Sequence, residues 1–174
     1  ALRELLLRGV VARFGAEAEA LVFAIARADH VAETIAPALD RGTWVISDRF
    51  HDSTRAYQGL TGGVEDKLIR GLEVLALNGR APDLTVVLDM DPEVAFRRVR
   101  ERELEGALQA TGDRFEKEDL EWHQRLRIAF IEIARNNPDR CVVIPASQGE
   151  DALEQEIWDT LTRRFPELTR GSGT

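Results

Sequence analysis

Leu84-Thr85-Val86-Val87-Leu88-Asp89, followed at once by Met90-Asp91-Pro92, decides how this chain is read. Five consecutive apolar or β-branched residues ending on a carboxylate predict the clearest strand in the chain. Pro92 then opens a helix to about Glu103, at the position where a missing N–H costs nothing. Working outward, Thr43-Trp44-Val45-Ile46-Ser47 and Cys141-Val142-Val143-Ile144-Pro145 are short runs of the same kind. The segments between them are too long for hairpins and carry helical spacing. A buried strand, a helix and another buried strand, repeated, predict crossover connections and an α/β fold with a parallel sheet and helices on both faces.

The helices follow from periodicity and breakers. One runs from Ala16 to about Arg41, bent near Pro37, with Leu21, Ile25, Ala28 and Ala32 as its apolar stripe. A second spans about Val64 to Asn78 with Leu68, Leu72 and Leu75 on one side. A third spans Glu116 to Asn136, with Leu120, Gln124, Arg127 and Ile131 tracing a face. The last runs from Ala152 to Phe165. Residues 105–113, with two glycines and little apolar support, predict a loop, and Gly171-Ser172-Gly173-Thr174 a flexible tail. Ala1 leads directly into Leu2-Arg3-Glu4-Leu5-Leu6-Leu7 with no start Met or cap, which reads as entry in mid-helix.

Composition narrows the function classes. The 174 residues carry a formal net charge of −8, which argues against a general nucleic-acid binder, because phosphate backbones reward positive faces. No apolar run approaches the ~20 residues of a membrane-spanning helix. The single Cys141 excludes a disulfide framework and fits a reducing cytoplasm. Lys67 and Lys117 are the only lysines among 23 basic residues, and neither follows a glycine. These residues therefore contain no phosphate loop of the Gly-x-x-x-x-Gly-Lys-Ser/Thr kind.

In parallel sheets ligands bind beyond the carboxyl ends of the strands. Here those ends carry Asp48-Arg49, Asp89 with Asp91, and Ala146-Ser147-Gln148. The densest group is Asp48-Arg49-Phe50-His51-Asp52-Ser53-Thr54-Arg55-Ala56-Tyr57-Gln58-Gly59. Asp48 can hold Mg²⁺ through water and Arg49 can clamp a phosphate bidentately; a helix cap with a surface ion pair is the plainer reading. Phe23 and Arg27, one helical turn apart, can stack on a planar base and hydrogen-bond its edge, or be ordinary core and solvated residues. Arg97, Arg98, Arg100, Arg102 and Arg114 flank the 105–113 loop. They suit a lid, at about residues 98–115, that closes on a transferring phosphoryl group, or plain i,i+4 ion pairs such as Glu93 with Arg97. His30, His51 and His123 lack metal spacing, and the tryptophans Trp44, Trp122 and Trp158 read as core.

Taken together, several segments resemble the bacterial thymidylate kinase family. They are Leu21 to Val31, Pro37 to Gly42, Asp48-Arg49-Phe50, Ser53-Thr54, Ala56 to Gly59, Pro82 to Thr85, Leu88 to Pro92, Gly112 to Glu116, and Ala146 to Gln148. They fall in the family's order, from about Leu2 to Phe165. The resemblance implies a P-loop nucleoside monophosphate kinase-like fold, in a single domain over residues 1–170, whose first strand and phosphate loop are absent from these residues. It implies transfer of the γ-phosphoryl of ATP to dTMP with Mg²⁺ in a cytoplasmic homodimer, without nucleic acid or membrane. Phe23 would stack on thymine, with Arg27 on its edge, Thr54 facing the ring, Tyr57 beside the deoxyribose and Gln58 supporting the pocket. Arg49 would hold the acceptor phosphate and Asp48 would assist Mg²⁺. Arg100, Arg102 and Arg114 would reach the ATP phosphates, and Ala146, Ser147 and Gln148 would border adenine. The chain departs from the family pattern in a longer loop from Glu103 to Gly112 and in the run Gly59 to Gly63. Without a phosphate loop the 174 residues alone are expected to be inactive. Two other readings stay open: a non-catalytic nucleotide-binding or regulatory module, and a kinase for another nucleoside monophosphate.

Overall fold

The computed structural model describes residues 11–104 and 118–170. After a single 3-10 turn, Ala12–Phe14, helix α1 (Ala16–His30) runs through a wide π-type stretch, Val31–Ile35, into α2 (Ala36–Asp40). Proline causes this. Pro37 has no N–H and its ring crowds the carbonyl four residues back, so the helix widens just before it and the Ala36 amide bonds Val31 instead. Helix α3 (His51–Thr54) likewise continues into a π-type stretch, Arg55–Thr61. Helix α4 (Asp66–Leu77) ends on Asn78 at φ 45°, a left-handed cap that Asn adopts at little cost.

Strand β1 (Thr85–Asp89) pairs in parallel with β2 (Cys141–Pro145), Thr85 opposite Cys141 through to Asp89 opposite Pro145. Between them lie α5 (Pro92–Leu104) and α6 (Leu120–Arg135), and after them α7 (Glu150–Arg164) and the short α8 (Glu167–Arg170). The α/β class and the parallel crossover are as the apolar runs predict.

Four expectations are corrected. Thr43–Ser47 is not a strand: no described segment pairs with it, Ile46 is 94% exposed and Trp44 51%. Trp44 instead meets Phe165 edge-on at 4.9 Å. Strand character needs a neighbour whose N–H and C=O groups complete the ladder, and among the described residues the sheet has two strands. The stripe of the first helix is also different. Leu21 and Ile25 are half exposed, whereas Ala20, Ala24, Val31 and Ile35 are buried. The alanines allow α1 and α4 to approach closely, and Ala20 and Ala24 share one core with Val64, Ile69, Leu72 and Ala76. On α6 the inward residues are Leu126, Ala129 and Ile133, packed on Ala56, rather than Gln124 and Ile131. Trp158, expected in the core, is half exposed. The expected 105–113 loop and the 171–174 tail lie outside the described residues.

Candidate active site

The site is assembled around the π-type turn at 55–61. That turn packs on α6, where the Tyr57 ring meets Trp122 at 5.6 Å and Phe130 at 6.2 Å, both edge-on. Gln58 is 2% exposed, and its carbonyl accepts the Val64 amide at 2.9 Å to close the turn. Gly62 is required here. A Cβ on it would stand 2.7 Å from the Gln58 carbonyl oxygen and 2.8 Å from that of Tyr57.

Two of the sequence-predicted base-binding residues, Arg27 and Thr54, touch directly. Arg27 Nη2 donates to Thr54 Oγ1 at 2.9 Å and to the Phe50 carbonyl at 3.2 Å, with its guanidinium 5.6 Å from the Phe50 ring centre. Burial draws the Arg27 pKa down, while the charges of Glu73 and Asp52 act to restore it. Phe23, partly buried, lies one turn earlier on the same helix. Arg49 stands at φ 64°, a left-handed conformation that non-glycine residues seldom adopt and that is concentrated at functional sites. Ser47 Oγ donates to the Arg49 carbonyl at 2.9 Å and closes this turn, and the Arg49 guanidinium lies 5.3 Å from the centre of the Tyr57 ring. Asp48 is exposed beside it. No group of three or more His, Cys, Asp or Glu side chains is arranged to hold a metal among the described residues.

Behind the turn lies an ion-paired layer that spacing did not reveal. Arg140, at the foot of β2, grips Asp52 with two hydrogen bonds of 2.7 Å and donates to Thr85 Oγ1 at 3.1 Å. Arg55 holds buried Glu73 with bonds of 2.6 and 2.5 Å. Burial alone would raise the Asp52 carboxyl, but the Arg140 hydrogen bonds and the charges of His51, Arg140 and Arg55 hold it below its ordinary value. His51, 3% exposed, is pushed down to about 4, chiefly by burial and then by three nearby arginines, against the pull of Asp52. Asp52 and Arg140 are 88 positions apart, and only β2 running alongside β1 brings them together.

At the far end of β1, Arg127 pairs with Asp89 at 2.6 and 2.9 Å and reaches Asp91 at 3.5 Å. These hydrogen bonds, against some desolvation, hold the Asp89 carboxyl low. Asp91 also accepts the Glu93 amide at 2.9 Å, starting α5. The Ala146-Ser147-Gln148 segment leaves the end of β2. Gln148 bonds Glu156 on α7 at 2.5 Å, and Arg98 reaches the carbonyls of Ala146 and Ser147 at 3.0 and 2.9 Å. Arg98 thus faces this loop, contrary to its expected place among lid arginines. Arg100 is exposed on α5. The side chain of Arg102 and all of Arg114 lie outside the described residues.

A parallel strand pair in an α/β layer, with Arg127 and Arg98 at its carboxyl end, is an arrangement that suits phosphate-bearing ligands. The fold is that of the P-loop nucleoside monophosphate kinases: a solved thymidylate kinase from Ehrlichia chaffeensis superposes with a TM-score of 0.62 at 30% identity, over 84% of this chain and 64% of that one. Residues 1–157 match the family model described as thymidylate kinase. A thymidylate kinase of Bradyrhizobium sp. strain BTAi1 is 45% identical over 164 residues, covering 94% of this chain and 71% of the relative. One from Rhodopseudomonas palustris strain CGA009 is 44% identical over 171 residues, covering 98% and 73%. The chain belongs to the thymidylate kinase family.

Proposed function

We propose that this chain carries the acceptor side of an enzyme that transfers the γ-phosphoryl group of ATP to dTMP, giving dTDP and ADP. The observation that carries the reading is Arg27 crossing from α1 to Thr54 and to the carbonyl of Phe50, the residue that follows Arg49 and its left-handed turn. Phe23 then stacks on the thymine ring, and Arg27 donates to a ring carbonyl beside Thr54. Tyr57, braced by Trp122 and Phe130, fills the space that a 2′-hydroxyl would need, and Gln58 holds its turn closed. Arg49 grips the acceptor phosphate.

Phosphoryl transfer asks a protein mainly for positioning and charge stabilisation. Arg100, Arg102 and Arg114 supply positive charge to the ATP phosphates, and Ala146 to Gln148 border adenine. Mg²⁺ keeps several waters and takes only one or two carboxylates beside substrate phosphates, so an exposed Asp48 next to Arg49 suits it. When bound there, the ion neutralises charge on the transferring group. The loop amides and lysine that cradle the donor's phosphates have no counterpart in these residues, and we assign them to sequence outside the 174. A cytoplasmic setting follows from the substrates. A homodimer is supported by the packed pair α1 and α4, which leaves Leu21, Ile25, Leu68, Val74 and Leu75 exposed.

A coupled assay of the protein expressed from its whole reading frame tests this. Rapid ADP release that depends on dTMP is expected, and near-zero release from residues 1–174 alone. Arg27→Ala should lower the preference for dTMP over dCMP about a hundredfold, because an amino group at that ring edge cannot accept the bond that a carbonyl does. Nucleotide binding without turnover in the whole protein would favour a binding module instead. An unaltered preference in Arg27→Ala would point to another acceptor.

A further inference from the structure

The arginines around the π-type turn are held in two ways. Arg55, Arg140 and Arg127 each bond one carboxylate, Glu73, Asp52 and Asp89 respectively, through two nitrogens. Arg27 and Arg49 make no ion pair among the described residues, and each guanidinium stands over an aromatic ring instead, 5.6 Å from the centre of Phe50 and 5.3 Å from that of Tyr57. A carboxylate grips a guanidinium firmly but offsets its charge and takes the N–H groups that a ligand would use. A ring face attracts the cation and takes none of them. Phe50 adds a second hold. Its carbonyl accepts from Arg27 Nη2 at 3.2 Å and from the Ser53 amide at 3.2 Å, so one oxygen ties the guanidinium to the first turn of α3. The buried ring of His51 meets the Phe50 ring edge-on at 5.6 Å. Nη2 of Arg27 is engaged by Phe50 and Thr54, while Nε and Nη1 form no hydrogen bond among the described residues.

We propose that Phe50 is a positioning residue for base recognition: its ring holds the Arg27 guanidinium in place and leaves it charged and free to donate, a proposal that rests on Arg27 meeting the edge of the acceptor base. The N–H groups on Nε and Nη1 are then available to a ring carbonyl, and the bond they make is charge-assisted. An arginine has many rotamers, and fixing it before the ligand arrives removes that ordering cost from binding. Arg27 is partly buried, where a cation over a ring is attracted more strongly than in open water. Phe50 acts through Arg27 and not on the nucleotide itself.

The test uses the protein expressed from its whole reading frame, with steady-state kinetics and calorimetric titration by dTMP. Phe50→Leu keeps the carbonyl bond and an apolar side chain but removes the ring face. It should raise KM and Kd for dTMP about tenfold and leave kcat and KM for ATP nearly unchanged. Phe50→Tyr restores the face and should bring KM back to within about twofold of the unaltered protein. In an Arg27→Ala background the ring has no cation to hold, so adding Phe50→Leu should change dTMP binding by less than about twofold. Unchanged KM in Phe50→Leu, an equal loss in the Arg27→Ala background as expected of plain packing, or no rescue by Tyr would each overturn the proposal. The Arg27 Nε–H signal in proton–nitrogen spectra reads the contact without ligand. It should move in Phe50→Leu as the ring current is lost and stay in place in Phe50→Tyr, and an unmoved signal in Phe50→Leu would also overturn the proposal. If the unaltered protein neither binds nor phosphorylates dTMP, the kinase reading fails, and this signal still decides whether Phe50 holds Arg27.

Discussion

The two sides of the site are held by different physics. Behind the π-type turn, Asp52 with Arg140 and Arg55 with Glu73 are paired groups, largely withdrawn from water, that lock α3 and its turn to β1, β2 and α4. In front of that layer, the Thr43 to Arg49 segment is exposed for most of its length, and its turn is closed by the Ser47 hydroxyl on the Arg49 carbonyl. A pocket that reads a base and a sugar needs groups fixed before the ligand arrives. In the proposed reaction the segment that carries Arg49 takes up and releases a nucleotide phosphate, which needs contacts that open at small cost. Buried pairs serve the first need because breaking one leaves a charge stranded away from water; exposed contacts serve the second because water replaces them.

That contrast can be broken at several points, and the largest effect is expected where burial is deepest. Asp52→Ala should cost about 3–5 kcal/mol in urea unfolding, since Arg140 would stay largely buried without a carboxylate to balance its charge. A loss below about 1 kcal/mol would mean that the layer behind the turn is not what holds it. The pH dependence sharpens the same point. His51 is neutral in the folded protein down to about pH 4 but takes up a proton near its ordinary value of 6.5 when unfolded. The unfolded state therefore binds more protons between about pH 4 and 6.5, and stability should fall as pH drops through that window and level off below it. Asp52, held below its ordinary carboxylate value, should add its own loss under further acidification. In His51→Leu the slope between pH 6.5 and 4 should flatten, and an unchanged slope would show that another group carries it. The smallest effect belongs to Arg127→Ala at the end of β1. Its pair with Asp89 is partly exposed, so thermal unfolding should reveal a loss of only about 1 kcal/mol, reduced by salt.

Much of this was legible from local pattern. Val64 to Asn78 carries helical spacing and folds as α4 over Asp66–Leu77, but of its expected stripe only Leu72 is buried, while Leu68 and Leu75 face outward. Leu84 to Asp89 and Cys141 to Pro145 are apolar runs closed by breakers, and both became strands in one parallel pair. Arg27 and Thr54 were expected at one ligand and touch directly. Thr43 to Ser47 has strand composition and no ladder, because a strand is a property of two segments and composition describes one. The core stripe of α1 was misjudged by following its largest apolar residues. Helix packing against α4 selected the alanines, which let the two axes come close.

Residue types and their order were enough for the α/β class, the crossover between the strands and the candidate residues Arg49, Arg27 and Tyr57, since these follow from periodicity and breakers along the chain, together with resemblance to a known family. Only the tertiary structure decided that Arg140 neutralises Asp52, that Arg127 neutralises Asp89, and that Arg98 faces two carbonyls. Charge pairing depends on distance in space, and the partners here stand from 38 to 88 positions apart in sequence.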